Sequence, residues 1–175
     1  MLMTAEDYRE SLRSYDPVVY VDGERVSSVA DDPRLLPGIN AVGVTYDFAL
    51  RPEYGGLMLE TQASSGKTVN RMIHINRHSE DLLSKLEAVR LLCRESGCAQ
   101  RYLSHDALNA IHQGTFRADA EDGTDYHERF MAYLHDIQDR DLTLGVAMTD
   151  AKGDRKLRPH KQEEPDTYVH ISERR

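Results

Sequence analysis

Across residues 79–137 the apolar side chains recur three and four apart in three consecutive runs, and this pattern constrains the fold more than any other feature of the chain. The first run puts Leu82, Leu83, Leu86, Val89, Leu92 and Cys93 on one helix face, between an acidic start at Ser79-Glu80-Asp81 and a glycine stop at Gly97. The second, over residues 98–112, carries Tyr102, Leu103, Leu108 and Ile111. The third, over 124–137, directs Tyr126, Phe130, Tyr133, Leu134 and Ile137 inward, with Asp125 and Glu128 available as a cap. Three successive amphipathic helices bury their stripes against one another, so the expected class is mainly α, a helical bundle.

The preceding residues supply shorter elements. Thr4 and Asp7 approach a capping box, Tyr8, Leu12 and Tyr15 follow at helical spacing, and Pro17 ends the run. The β-branched residues Val18, Val19, Val21 and Val26 flank Asp22-Gly23, which suits a type I′ turn and predicts a hairpin packed as a flap on the helices. A further helix starts at Asp31-Asp32-Pro33, is interrupted at Pro37-Gly38, resumes over 39–50 and stops at Arg51-Pro52. Residues 55–76 leave helix and strand both open, because apolar, β-branched runs flank a turn at Ser64-Ser65-Gly66-Lys67. The earlier glycine of a phosphate-binding loop is missing, so this turn is not read as one.

After residues 139–141 the period changes. Leu142, Leu144, Val146 and Met148 alternate as in a half-buried strand, and the alternation breaks into Thr149-Asp150-Ala151-Lys152-Gly153-Asp154-Arg155. Gly153 allows close backbone approach, while Thr149, Asp150, Lys152 and Arg155 bring hydroxyl, carboxylate and cationic groups within seven residues. Lys152, Asp154, Arg155, Lys161 and Gln162 can hold a pyrophosphate or phosphate by charge-assisted bonds, or equally pair among themselves in a charged turn. Residues 167–171 are strand-like again. The division expected is a helical domain with hairpin over 1–139 and the start of a β-domain over 140–175.

With 30 acidic against 22 basic residues and a net charge of -8, the chain lacks the basic surface a nucleic-acid partner requires. No apolar run approaches the roughly 18 residues of a membrane span, and the amino terminus lacks the pattern of a signal peptide. Two cysteines are too few for a disulfide framework. A cytoplasmic protein is expected. His74 and His78 lie four apart without the carboxylate frame of a metal site, and His105 and His127 stand beside acids, so the histidines are read as solvated or capping groups. Arg101 and Arg129 are read as surface partners of nearby acids.

The wording "AMTDAKGDR", followed by "RPHKQEEPDTYVHISER", together with "YRESLR", "VYVDGERV", "PGINAVGVTYDFAL", "HDALNA" and "YHERF", resembles end to end the flavoprotein family that contains 4-hydroxybutyryl-CoA dehydratase and the large component of 4-hydroxyphenylacetate 3-monooxygenase. The resemblance implies the N-terminal helical domain of an acyl-CoA-dehydrogenase-like fold, with a β-hairpin and the first strands of a truncated β-domain. It implies FAD, bordered by Met148, Thr149, Asp150, Lys152, Gly153, Asp154 and Arg155, with Arg101 and Tyr102 on the substrate side. It also implies a C-terminal half, expected on a separate chain, an oligomer, and a small acyl-CoA or aromatic substrate.

Two departures accompany the resemblance. Cys98 matches the first iron–sulfur ligand of the dehydratase, but the second falls on Tyr102, a poor donor for a cluster; Cys98 is therefore expected to be a buried, unliganded thiol, Cys93 a core residue, and a cluster absent. At the phenol-binding Tyr and His of the monooxygenase stand Ala107 and Val146. The expected function is the N-terminal portion of a flavin-dependent oxidoreductase or dehydratase-type enzyme. The alternatives are a non-catalytic assembly or ligand-binding module and a component of a reduced-flavin-dependent aromatic hydroxylase.

Overall fold

The computed structural model describes residues 1–98, 101–146, 154 and 156–162. The chain forms two compact units, Met1–Leu144 and Gly145–Arg175. The first is mainly helical: α1 (Ala5–Tyr15), β1 (Tyr20–Val21), β2 (Glu24–Arg25), α2 (Leu36–Leu50), α3 (Gly55–Met58), β3 (Leu59–Thr61), β4 (Thr68–Asn70), a 3-10 turn (Arg71–Ile73), α4 (Ser79–Ser96), α5 (Tyr102–Asp122) and α6 (Tyr126–Asp139). None of the described helices is long and apolar enough to cross a membrane.

The local signals act as their chemistry dictates. Thr4 and Asp7 form a full capping box, and α1 ends at Asp16 in the left-handed region just before Pro17. Asp22 and Gly23 both have positive φ, 53° and 81°, as a type I′ turn requires, and the pair Tyr20↔Arg25 and Val21↔Glu24 closes the first hairpin. Pro37 does not interrupt a helix. It lies in the first turn of α2, where its missing N–H costs nothing. Gly43 marks the crossing of α1 and α2, since a Cβ there would lie 3.1 Å from the Ala5 Cβ. Tyr8 stacks on Tyr46 at this crossing, with ring centroids 5.2 Å apart.

The open stretch resolves into a hairpin. Leu59↔Asn70, Glu60↔Val69 and Thr61↔Thr68 pair antiparallel around a turn in which Gly66 has φ 72°. Arg71 pins this hairpin down; buried, it pairs with Glu60 at 2.5 Å and donates through Nε to the Leu57 carbonyl. The serines and lysine of the turn serve the turn itself and its neighbours: Ser64 meets His135, and Lys67 pairs with Asp139 at 2.7 Å.

In the bundle the expected faces shift. Ala88 and Leu92 of α4 are buried, whereas Leu82, Leu83 and Leu86 are 50%, 63% and 51% exposed and Cys93 is exposed. The described neighbours cover only the inner side of this helix. Helix α5 runs ten residues past the expected end at 112, to Gly123 at φ 66°, because nothing between contradicts a helix strongly enough to stop it. On α6, Phe130, Leu134 and Ile137 are buried but Tyr126 and Tyr133 are half-exposed. Its cap is not Asp125: Asp119, at the end of α5, accepts from the Tyr126 and His127 amides at 2.9 and 3.0 Å and from the Thr124 hydroxyl.

Two apolar clusters result, one around Phe48, Met58, Met72 and Leu92, the other around Ile73, Leu108, Phe130, Leu134 and Ile137. Each such buried side chain contributes roughly 1.5–3 kcal/mol. Residues 142–146 form no strand; Leu142 and Leu144 pack on the second cluster, as their alternation requires, without a neighbouring strand among the described residues. In the second unit a 3-10 turn (Pro159–Lys161) precedes Gln162, whose amide donates to the Asp154 carbonyl at 2.7 Å and accepts from the Asp154 amide at 3.1 Å. The expected strand at 167–171 lies outside the described residues.

Candidate functional site

The start of α5 and the segment following α6 are fastened to each other. Arg101, the N-cap of α5, is fully buried, and its Nη2 reaches Asp141 Oδ1 at 3.1 Å and the Leu142 carbonyl at 3.0 Å. The guanidinium lies over the Tyr46 ring, 4.4 Å from its centroid. Tyr46 donates to the Asp141 carbonyl and shares a 2.7 Å hydrogen bond with Thr143, while Ser104, one turn into α5, donates to the Leu144 carbonyl. Asp141 also accepts from the Met3 amide, which draws the amino terminus into the same network.

Asp141 adopts a left-handed backbone, φ 50°, which Asp tolerates better than most residues. Burial pushes its carboxyl pKa up, opposed by the adjacent guanidinium and the Met3 N–H. Since Arg stays protonated, the pair is a buried ion pair rather than the surface contact expected of Arg101. The sequence offered one weak sign of Asp141: a carboxylate near a helix C-terminus opposes the dipole and needs another reason to be there. Its partner lies 40 residues earlier, so no local pattern joins them.

Tyr102 is half-buried against the first cluster, and Lys85 approaches its ring to 6.0 Å while pairing with Asp106. The outward side of α5 carries Leu103 and Ile111, 39% and 47% exposed. Cys98 and Cys93 are both exposed, not buried. His74 and His105 are both buried rather than solvated, and burial pulls the His105 pKa down to about 4 and that of His74 down as well. Both ring nitrogens of His105 lack hydrogen-bond partners among the described residues.

Of the loop residues expected to border a cofactor, Asp154 is described, exposed, with its carboxylate accepting from the Lys156 amide at 2.9 Å. Met148, Thr149, Asp150, Lys152, Gly153 and Arg155 lie outside the described residues. Among the described residues no three His, Cys, Asp or Glu side chains come together as a metal would need. At the two positions laid on cluster ligands stand Cys98, an exposed thiol, and Tyr102, a half-buried phenol and a poor donor for a cluster.

The architecture is that of the N-terminal helical domain of acyl-CoA-dehydrogenase-like flavoproteins. Residues 4–175 match the family described as 4-hydroxyphenylacetate 3-hydroxylase N terminal, and the chain belongs to that family. It is 43% identical over 176 residues to 4-hydroxybutyryl-CoA dehydratase/vinylacetyl-CoA-Δ-isomerase of Clostridium aminobutyricum, covering 100% of this chain and 36% of that protein. The oxygen-tolerant archaeal 4-hydroxybutyryl-CoA dehydratase of N. maritimus superimposes with a TM-score of 0.84 at 42% identity, over 95% of this chain and 33% of that one. The oxygenase component of 4-hydroxyphenylacetate 3-monooxygenase, in complex with FAD and 4-hydroxyphenylacetate, shares the fold, with a TM-score of 0.70 at 23% identity over 93% of this chain and 33% of that one. The chain thus spans about a third of the length of these relatives and corresponds to their N-terminal portion.

Proposed function

We propose that this chain forms the N-terminal wall of a flavin-dependent oxidoreductase or dehydratase-type active site, acting on an acyl-CoA or aromatic substrate and completed by the part of the fold that follows in its relatives. The observation that carries this reading is the buried Arg101–Asp141 pair, which ties the start of α5 to the segment leading into the cofactor loop. The loop's hydroxyl, carboxylate and cationic side chains, Thr149, Asp150, Lys152 and Arg155, match the donors a flavin ring and pyrophosphate need. FAD would supply hydride or electron transfer. Asp154, at the end of that stretch, is tied to Gln162.

The residues of this chain position and exclude water. Tyr102 and Leu103 form the substrate side at the head of α5, and Arg101 fixes that head through Asp141 rather than touching substrate. The exposed leucines of α4 and the apolar outer side of α5 are the surface that a composite site leaves for its completing part. With Tyr102 where a cluster thiolate would stand, no step runs through an iron–sulfur centre. The same substitution favours a second reading, an assembly or ligand-binding module without catalysis.

The test is absorption spectroscopy of the chain purified alone and together with the remaining two-thirds of a family member. A flavin spectrum without the broad absorption of a cluster, seen only in the combined preparation, is the expected result. FAD bound by the isolated chain at about micromolar affinity would contradict the composite site. A colourless combined preparation would leave the module reading in its place.

A further inference from the structure

A cleft of about 360 Å³ opens between the β3–β4 turn, residues 74–77 and helices α5 and α6. That volume is at the small end of ligand pockets, of which most are apolar with a few placed polar groups. The apolar wall here is Ile75, Met131 and Leu134. The titratable lining is of one kind: His74, His112, His135 and Arg77, with no Asp or Glu among the described lining residues. In a chain with 30 acidic and 22 basic residues, that segregation runs against the overall composition.

The two glutamines at the cleft are already used, and His135 meets the Ser64 hydroxyl at 3.0 Å. Gln62 donates to Gln138 and Gln138 to the Ile73 carbonyl, each at 2.8 Å. Two groups are not. His74 is 3% exposed, and its Nδ1, itself closed off from the cleft, has no hydrogen-bond partner among the described residues. Arg77 is exposed and makes no ion pair among the described residues.

We propose that this cleft binds a small organic monocarboxylate, its anionic head at Arg77 with His112 and His135 and its aliphatic or aromatic body on Ile75, Met131 and Leu134. A carboxylate matches a described lining without Asp or Glu, the nearby Asp81 carboxylate being taken by the Arg77 and His78 amides, and a short apolar body matches the volume. The cleft uses none of residues 98–102 or 141–155, so it stands or falls apart from the flavin reading.

The probes are benzoate and hexanoate, with benzamide and hexanamide as uncharged isosteres, titrated calorimetrically into the chain together with any partner that co-purifies. The expected result is saturable carboxylate binding, with the amides weaker by about tenfold or more. Arg77→Gln, at an exposed position that leaves the core intact, should reduce the carboxylates to the level of the amides, and Arg77→Lys should restore part of the difference. Failure of both carboxylates to saturate, equal affinity for acid and amide, or unchanged affinity in Arg77→Gln would each overturn the proposal.

Discussion

Arg101 and Asp141 meet at 3.1 Å with 0% and 1% of their side chains exposed, so the charge of each is compensated by the other and not by water. Removing one partner of such a pair leaves an uncompensated charge in the interior. Asp141→Asn, which keeps a residue tolerant of the left-handed backbone, is expected to destabilise the fold by about 3 kcal/mol in urea unfolding. Adding Arg101→Met to that variant should recover part of the loss, since the stranded cation is then gone. Equal stability of Asp141→Asn and the parent would mean that the pair contributes nothing.

His105 gives the fold an acid limit. Burial holds its folded-state pKa at about 4, below the usual histidine value, with Lys85 acting in the same direction and Asp106 opposing. The neutral ring is therefore the form that folding favours. Its contribution is complete above about pH 6.5 and is lost as the pH falls toward 4, by about 3 kcal/mol over that window. His74, shifted the same way, adds to the loss. In His105→Gln the pH profile of chemical denaturation between 6.5 and 4 should flatten; an unchanged slope would place the acid sensitivity elsewhere.

Asp119, rather than Asp125, caps α6. Asp119→Ala frees two amides and a hydroxyl at once and should lower Tm by several degrees. Asp125→Ala removes only an exposed pair with Arg129 and should leave Tm nearly unchanged. The reverse order of effects would contradict the capping geometry. Because Asp119 has a lowered pKa through those same donors, its contribution is present above the ordinary carboxylate range and fades as the pH drops through the lowered value.

Cys93 and Cys98 are both accessible. Maleimide labelling without denaturant should attach two groups per chain, read by mass spectrometry, and one label would contradict the exposure of the other thiol. Addition of the remaining part of a family member should slow labelling of Cys98 if that part closes over the head of α5.

Local chemistry settled much of this chain before any tertiary information. The Thr4–Asp7 box, the Asp22-Gly23 turn, the Gly97 stop and the stop at Arg51-Pro52 each depend on residues within a few positions of one another, so their sequence carries their geometry. The family wording likewise belonged to the sequence, because it is a property of residue order. Burial was a different matter. Helical spacing says which residues share a face, but whether Leu82, Leu83 and Leu86 are covered depends on which element lies opposite, and among the described residues none does. The candidate site shows the same limit: Arg101, His74 and His105 are types that usually seek water, and only partners 40 or more positions away, or a wall of packed helices, take them out of it. The chain's order therefore fixed its turns, caps and kinship, while long-range packing decided which charges lie inside and which apolar faces stay open.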